Sequence, residues 1–527
     1  MNEPVINVAQ TVADSAVQFR SKVGHISRQS SVYFMGTIFT AAFGYLFKVY
    51  VARVLGPEAL GIFALGVTMI GFLGIFNTLG LPQSAMRFVA EYQASGKLKE
   101  LHALLWRGAG LLLVANIFFV GLLLSCGGWV AIHFYHSPAL VRYLPLFAVI
   151  MLFAVVNTFY GRVLAGYHDL QLRTLIVNFI GSPLSMLVAV GLISAGLGLS
   201  GYLIAQIVSA AVVCILLIAT VRRFTPPAAR LFAKHGSSPA KEVWSFSAAV
   251  LGVTGLEFVM SQADKVALGF YRGPKEVGIY SVAAAVVVYI PLALSSVNQI
   301  FASMISDLHA RGNHVLLARL FQSLTKWVVG LTLPLALVVI VFAAPLMRIF
   351  GREFEIGWPI LVIGTAGQLI NCGVGSVGYL LLMSGNEKRL IKVQVAMTAV
   401  MIILSAVLVP LWGIYGAAAA AAVTNVGMNA WNLLEVRRAM GISPYNRGYI
   451  HLLLPTIATL GVVLAAKKYS FVFSHYWIMV GVAFVTAYCV FPAVFYFVGG
   501  LDPDDRLIAS ALWSRVRGAI GRAGAQA

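Results

Sequence analysis

Only two of the 18 acidic residues, Glu257 and Asp264, stand well inside an apolar run. Seven residues apart, they share one face of a helix, with Ser261 between them and Lys265 beside Asp264. A second lysine, Lys48, interrupts the first apolar run one turn from Tyr45. A charge at the centre of a bilayer costs roughly 2.5–3.5 kcal/mol, so it normally faces protein or a water-filled cavity. A carboxylate in such a place can exchange H+ or Na+, and a cation can hold a phosphate oxygen. Glu257, with no basic residue within one turn on its own helix, is the expected ion-coupling residue. Lys48, Tyr45, Asp264 and Lys265 are expected to line a substrate cavity. Asn77 and Arg87, at the end of the second apolar run, are assigned to the same cavity, and Pro82 is expected to end or kink that run.

Other patterns carry no chemistry. "GVGSVG" (373–378) fits GxGxxG but lies inside an apolar run, with no preceding strand, and reads as close helix packing. "HFYH" (133–136) has no carboxylate or cysteine near it, and the four cysteines lack metal spacing. Neither a Walker A sequence nor HExxH is present, so an ATP-driven pump within this chain is excluded. No cofactor is expected beyond a coupling H+ or Na+.

The elements that must position these residues follow from composition. The chain is 60% hydrophobic and 10% charged, with a mean hydropathy of +0.88. Soluble proteins carry about 25% charged residues, so a soluble enzyme is excluded. Roughly 20 apolar residues cross a bilayer as a helix. Fourteen runs qualify, near 31–53, 61–83, 104–126, 141–163, 173–195, 200–221, 244–268, 278–300, 324–347, 358–383, 390–410, 414–436, 450–467 and 475–498. The net charge of +19 is dispersed between these runs, which favours topology signals over nucleic-acid binding. With both termini cytoplasmic, 27 of the 37 basic residues fall on the inner side and eight on the outer. That excess follows the positive-inside rule.

The expected domains are a cytoplasmic tail over 1–30, an N-lobe over 31–221 and a cytoplasmic linker over 222–243. A C-lobe over 244–438, two further spans over 450–498 and a cytoplasmic tail over 499–527 follow. The lobes repeat each other. "RVLGPEALGIFALG" (53–66) matches "FYRGPKEVGIYSVA" (270–283) at an offset of 217, which also places Lys48 on Lys265. "GLSGYLIA" (198–205) matches "GIYGAAAA" (413–420) at 215. Six spans per copy keep both copies in the same orientation, as in transporters built from parallel repeats. The fold class is therefore an all-α polytopic membrane protein of two six-helix repeats around a central cavity, plus two C-terminal helices.

The stretches "RVLGPEALGIFALG" and "LGLPQSAMRFVAEY" (79–92), with "QADKVALGFYRGPKEVGIYSVA" (262–283), resemble the oligosaccharide flippases of the polysaccharide-transporter family. The superfamily of these flippases also holds multidrug exporters and the lipid II flippase. The resemblance implies alternating access and an oligosaccharide linked to polyprenyl pyrophosphate, carried from the inner to the outer leaflet of the plasma (inner) membrane. It implies membrane lipids, a polysaccharide polymerase and glycosyltransferases as partners, no nucleic acid, and site roles for Lys48, Asp264, Lys265 and Arg87. The alternatives are a cation-coupled multidrug exporter, a lipid II flippase, or a polyprenyl-dependent membrane glycosyltransferase or polymerase. No outer loop exceeds about 15 residues, which argues against the enzyme.

Overall fold

The computed structural model describes residues 43–167, 169–225, 241–468 and 476–498. Both tails, most of the linker and the first part of the first apolar run lie outside the described residues. Every element among the described residues is helical. Ten helices are long and apolar enough to cross a membrane, or eleven if the bent pair Pro274–Val287 and Leu292–Asn298 is one crossing. This differs from fourteen at identifiable places. Phe43–Asn77 and Gln171–Phe224 are counted once each at 35 and 54 residues, although Gly56 (φ +77°) and Gly196 (φ +87°) break them. A helix rises about 1.5 Å per residue, so the longer one is more than twice a bilayer's thickness. Ile414–Met440 is alanine-rich and stands outside the ten.

The chain forms two compact units, Met1–Phe258 and Val259–Ala527. Their boundary falls inside the Lys241–Arg272 helix rather than in the linker. The first part of that helix is held by the first unit's core. Val243 joins a cluster with Leu81, Phe88, Phe159 and Leu217, and Phe246 packs against it. Ser84 and Ser247 share a hydrogen bond of 2.6 Å. The helix of Ser84, Leu81–Ala94, starts after a turn in which Leu79 has φ +50°, with Pro82 in its first turn. The break thus precedes Pro82, where its missing N–H costs no hydrogen bond.

In the second unit, Phe301, Ile305, Phe321, Leu380 and Val436 form the main cluster. The last two helices, Leu453–Lys468 and Tyr476–Phe497, dock on His314–Val341. Phe491 and Leu452 meet Val329, and the Tyr488 hydroxyl donates to the Leu331 carbonyl at 2.9 Å. Elsewhere large apolar side chains such as Val114, Ile117 and Phe118 are exposed side by side. Exposed apolar surface on this scale needs a cover, and a bilayer supplies one along helices of this length.

The repeat is written in the backbone. Gly56 and Gly273 have φ of +77° and +83°, and each precedes a proline that opens the next helix. Gly198 (φ 53°, ψ −131°) and Gly413 (φ 54°, ψ −129°) are nearly superimposable in conformation. Asp169 and Asn386, 217 apart, stand at the N-caps of helices that begin at Leu170 and Glu387. Between these caps and Gly198/Gly413 the offset falls to 215, so the first copy carries two more residues. It also contains two π-helical stretches there, Leu175–Gly181 and Ile193–Leu197, whereas Glu387–Trp412 is α-helical throughout. A π-turn closes on i→i+5 rather than i→i+4 and so absorbs one residue more than an α-turn.

Candidate functional site

In the second unit, the turn at Gly273 folds the Pro274–Val287 helix back along Lys241–Arg272. This sets Tyr280 against Asp264, sixteen residues earlier. The Tyr280 hydroxyl donates to Asp264 Oδ2 at 2.5 Å, and the Lys265 N–H donates to Oδ1 at 2.8 Å. Asp264 is 7% exposed and Tyr280 3%. Lys265 is half-buried and its Nζ donates to Gln262 Oε1 at 2.9 Å. These groups open onto a cavity of about 360 Å³ whose polar lining includes Ser261, Gln368 and Asn425. Its volume exists because the opposite wall carries Ala418, Ala421 and Ala422. Such a site can hold a cation or proton at the carboxylate and present an ammonium to an anionic ligand.

The first unit has a cavity of its own, about 450 Å³, lined by Phe47, Asn157, Arg162, Arg173, Ser185 and Gln206 among others. The two cavities overlap in part under the repeat. The offset of 217 sets Phe47 on Asp264, and 215 sets Gln206, Ser209 and Ala210 on Ala421, Thr424 and Asn425, all lining residues. Sequence reasoning missed this second cavity, because Arg162 and Arg173 read as charges at span ends. Asp169 sits in the turn between them, its Oδ1 accepting from the Leu172 N–H at 3.0 Å.

The expected site residues divide. Asp264 and Lys265 meet in one cavity. Lys48 and Tyr45 are half-buried on the Phe43–Asn77 helix, next to the lining residue Phe47. Asn77 does not line either cavity. It is 0% exposed, and its Nδ2 donates to Asn116 Oδ1 at 2.8 Å while Asn116 donates to the Leu152 carbonyl at 2.9 Å. This bond ties three helices together, which corrects its assignment to the cavity. Arg87 is exposed and also lies outside both cavities, its guanidinium 4.9 Å from the Phe246 ring centre and 5.2 Å from that of Phe88. Glu257 is not enclosed by protein; its side chain is exposed. A further lysine escaped notice: Lys326, counted as an inner-side charge, is 2% exposed inside the His314–Val341 helix.

Helices of this length and hydropathy, arranged as two repeat copies each with a polar cavity, mark a multi-pass membrane protein. Residues 26–309 match the family described as polysaccharide biosynthesis protein, and the chain belongs to that family. Residues 249–387 also match the MatE family. Among solved structures, the fold is similar to the lipid II flippase MurJ in an inward closed conformation. The TM-score is 0.68 at 17% identity, covering 88% of this chain and 98% of that one. An inward-facing multidrug resistance MATE family transporter of the MOP superfamily gives 0.64 at 15%, covering 78% and 97%. A MOP superfamily transporter from Pyrococcus furiosus gives 0.55 at 16%, covering 79% and 95%. No curated protein matches the chain by sequence. The protein is thus a multi-pass membrane member of the polysaccharide biosynthesis family, with the fold of these flippase and transporter structures.

Proposed function

We propose that the protein flips an oligosaccharide linked to polyprenyl pyrophosphate from the inner to the outer leaflet of the plasma (inner) membrane by alternating access. The match of residues 26–309 to the polysaccharide biosynthesis family carries this reading. The cavities support it chemically. A pyrophosphate is strongly anionic and sugars are polar, so neither crosses hydrocarbon unaided. Lysine and arginine with amide and hydroxyl groups offer both of them charge-assisted hydrogen bonds. Fourteen crossings with both termini cytoplasmic complete the proposal, on the asymmetry of basic residues. Partner polymerases and glycosyltransferases would consume and supply the substrate.

Coupling to H+ or Na+ is assigned to Asp264 rather than Glu257, because Asp264 is the carboxylate enclosed in a cavity and hydrogen-bonded to a neighbouring helix. Translocation of lipid-linked oligosaccharide into proteoliposomes, with imposed pH or Na+ gradients, tests both parts. Wild type should respond to one gradient, and Asp264→Asn should lose that response. Lys48→Ala and Lys265→Ala should each slow translocation while leaving insertion intact. Indifference of the wild type to both gradients would remove coupling, and no translocation under any condition would remove the flippase. The MatE match at 249–387 favours one second reading, a cation-coupled multidrug exporter. Efflux of cationic dyes by the same vesicles, uncompeted by lipid-linked sugar, would select it.

A further inference from the structure

The first unit's cavity has, at one position of the repeat, a group that packing does not explain. Gly161 and Gly378 correspond at the offset of 217, and so do Arg173 and Leu390. In the second unit, a carbon placed on Gly378 would lie 4.0 Å from Leu390 Cδ1, an ordinary apolar contact. In the first, a carbon on Gly161 would lie 3.4 Å from Arg173 Nε. The fold thus accepts an apolar side chain at this place, and the first copy carries a guanidinium there instead. Arg173 Nε is buried without a hydrogen-bond partner, as is Ser185 Oγ in the same cavity, while Asn157 Oδ1 is an unpaired acceptor beside them. Arg162 supplies a second positive charge, and among the described residues no carboxylate lines the cavity. Unsatisfied buried donors cost about 1–3 kcal/mol each, which a ligand can recover.

We infer that this cavity binds a phosphoryl group, a mono- or diphosphate ester held by the guanidinium of Arg173, with Arg162 and the Ser185 hydroxyl completing the donor set. Planar guanidinium groups match phosphate geometry by paired N–H bonds. Asn157 Oδ1 is placed to accept from a hydroxyl of the ester or of an attached sugar. The source of the phosphate as a lipid headgroup rests on the flippase reading; the site itself does not.

Binding to the full chain in nanodiscs, read without transport, tests it with farnesyl pyrophosphate, inorganic pyrophosphate and farnesol. Wild type should bind a pyrophosphate probe, and Arg173→Gln should weaken it by about tenfold, the loss of one charge-assisted bond. Arg173→Lys should recover part of the affinity, and farnesol should bind all variants alike. Ser185→Ala gives a smaller loss and serves if Arg173→Gln folds poorly. Arg107→Gln, which removes an exposed charge outside the cavity, should change nothing. Tighter binding of the farnesyl ester identifies a lipid headgroup, and equal binding of inorganic pyrophosphate a free anion; either keeps the site. Unchanged affinity in Arg173→Gln and Ser185→Ala, or an equal loss in Arg107→Gln, overturns it. Binding without any translocation by wild type would remove the flippase and leave the site standing.

Discussion

The two cavities lie in two copies of one repeat and share part of their lining, yet they hold different chemistry: an aspartate beside a lysine in one, two arginines and no carboxylate in the other. In the second unit an aspartate is bonded to a tyrosine from the next helix. Its counterparts in the first unit are Phe47 and Phe63, which carry no hydroxyl or carboxyl group. Where the first unit has Arg173 the second has Leu390, and where it has Gln206 the second has Ala421. Gly56/Gly273 keep nearly the same φ, and Gly198/Gly413 nearly the same φ and ψ. Duplication has therefore preserved the turns that aim the helices, while a few inward positions have diverged, leaving a carboxylate beside an ammonium in one copy and guanidinium groups alone in the other.

The sharpest way to break this pairing is at the helix crossings. Gly201 and Gly416 correspond, but a methyl group at Gly416 would come 2.0 Å from the Leu408 carbonyl oxygen, which is backbone. At Gly201 the nearest atoms are the Leu192 and Leu197 β-carbons at 3.0 Å. Overpacking costs about 1–3 kcal/mol and more where backbone must move. Gly416→Ala should therefore lower the unfolding midpoint in detergent far more than Gly201→Ala. Equal losses would mean that the two crossings are not differently packed.

Next in size is Asp264→Ala. It leaves the Tyr280 hydroxyl, buried in the second unit, without its acceptor, at a cost of about 1–3 kcal/mol. Asp264→Asn retains a carbonyl oxygen for Tyr280 and should unfold close to wild type, while still losing the gradient response. A thermal unfolding series of the two variants separates the structural bond from the titrating group. A smaller difference is expected between Gly413→Ala and Gly198→Ala. Both strain a backbone that favours glycine, at about 1–3 kcal/mol. Only at Gly413 does the added carbon also meet Glu276 Oε2, at 3.0 Å, whereas Gly198 has open space. Gly413→Ala should be the less stable of the two, by about 1 kcal/mol, if Glu276 cannot turn aside.

Much of the architecture was legible because hydropathy and Gly-Pro spacing act locally. The matched turns at Gly56 and Gly273 were visible as letters before they were visible as angles. The cavities were less legible, because they depend on which residues meet across helices. Arg162 and Arg173 looked like topology signals, being charges at the ends of apolar runs. Only the hairpin around Asp169 brings them into one cavity. Asn77 looked like a cavity group because it interrupts an apolar run. Its partner Asn116 lies 39 residues away, and no local pattern announces that pairing. Lys326 was counted with the inner-side charges, yet it is 2% exposed within the His314–Val341 helix, a burial that no local pattern announces. In each case the residue type was read correctly, and its surroundings were set by tertiary contacts.

The smallest expected effect belongs to Glu257→Gln, and it bears on which carboxylate the coupling uses. Glu257 and Asp264 lie on one helix face seven residues apart, and the sequence points to Glu257 for coupling, because it has no basic residue within one turn on its own helix. Their surroundings differ. Asp264 is enclosed and bonded to Tyr280, while the Glu257 side chain is exposed, with no enclosing wall of protein to hold an ion in place. Exchange of an exposed carboxylate for its isosteric amide disturbs no packing, so stability should stay within about ±0.5 kcal/mol. The gradient response should also survive, at a rate close to wild type. The measurement is oligosaccharide translocation in proteoliposomes with and without an imposed gradient, with Asp264→Asn and Glu257→Gln run side by side. Loss of the response in Glu257→Gln with its retention in Asp264→Asn would move the coupling site one turn beyond the cavity, and would leave the Asp264–Tyr280 bond a purely structural link between two helices.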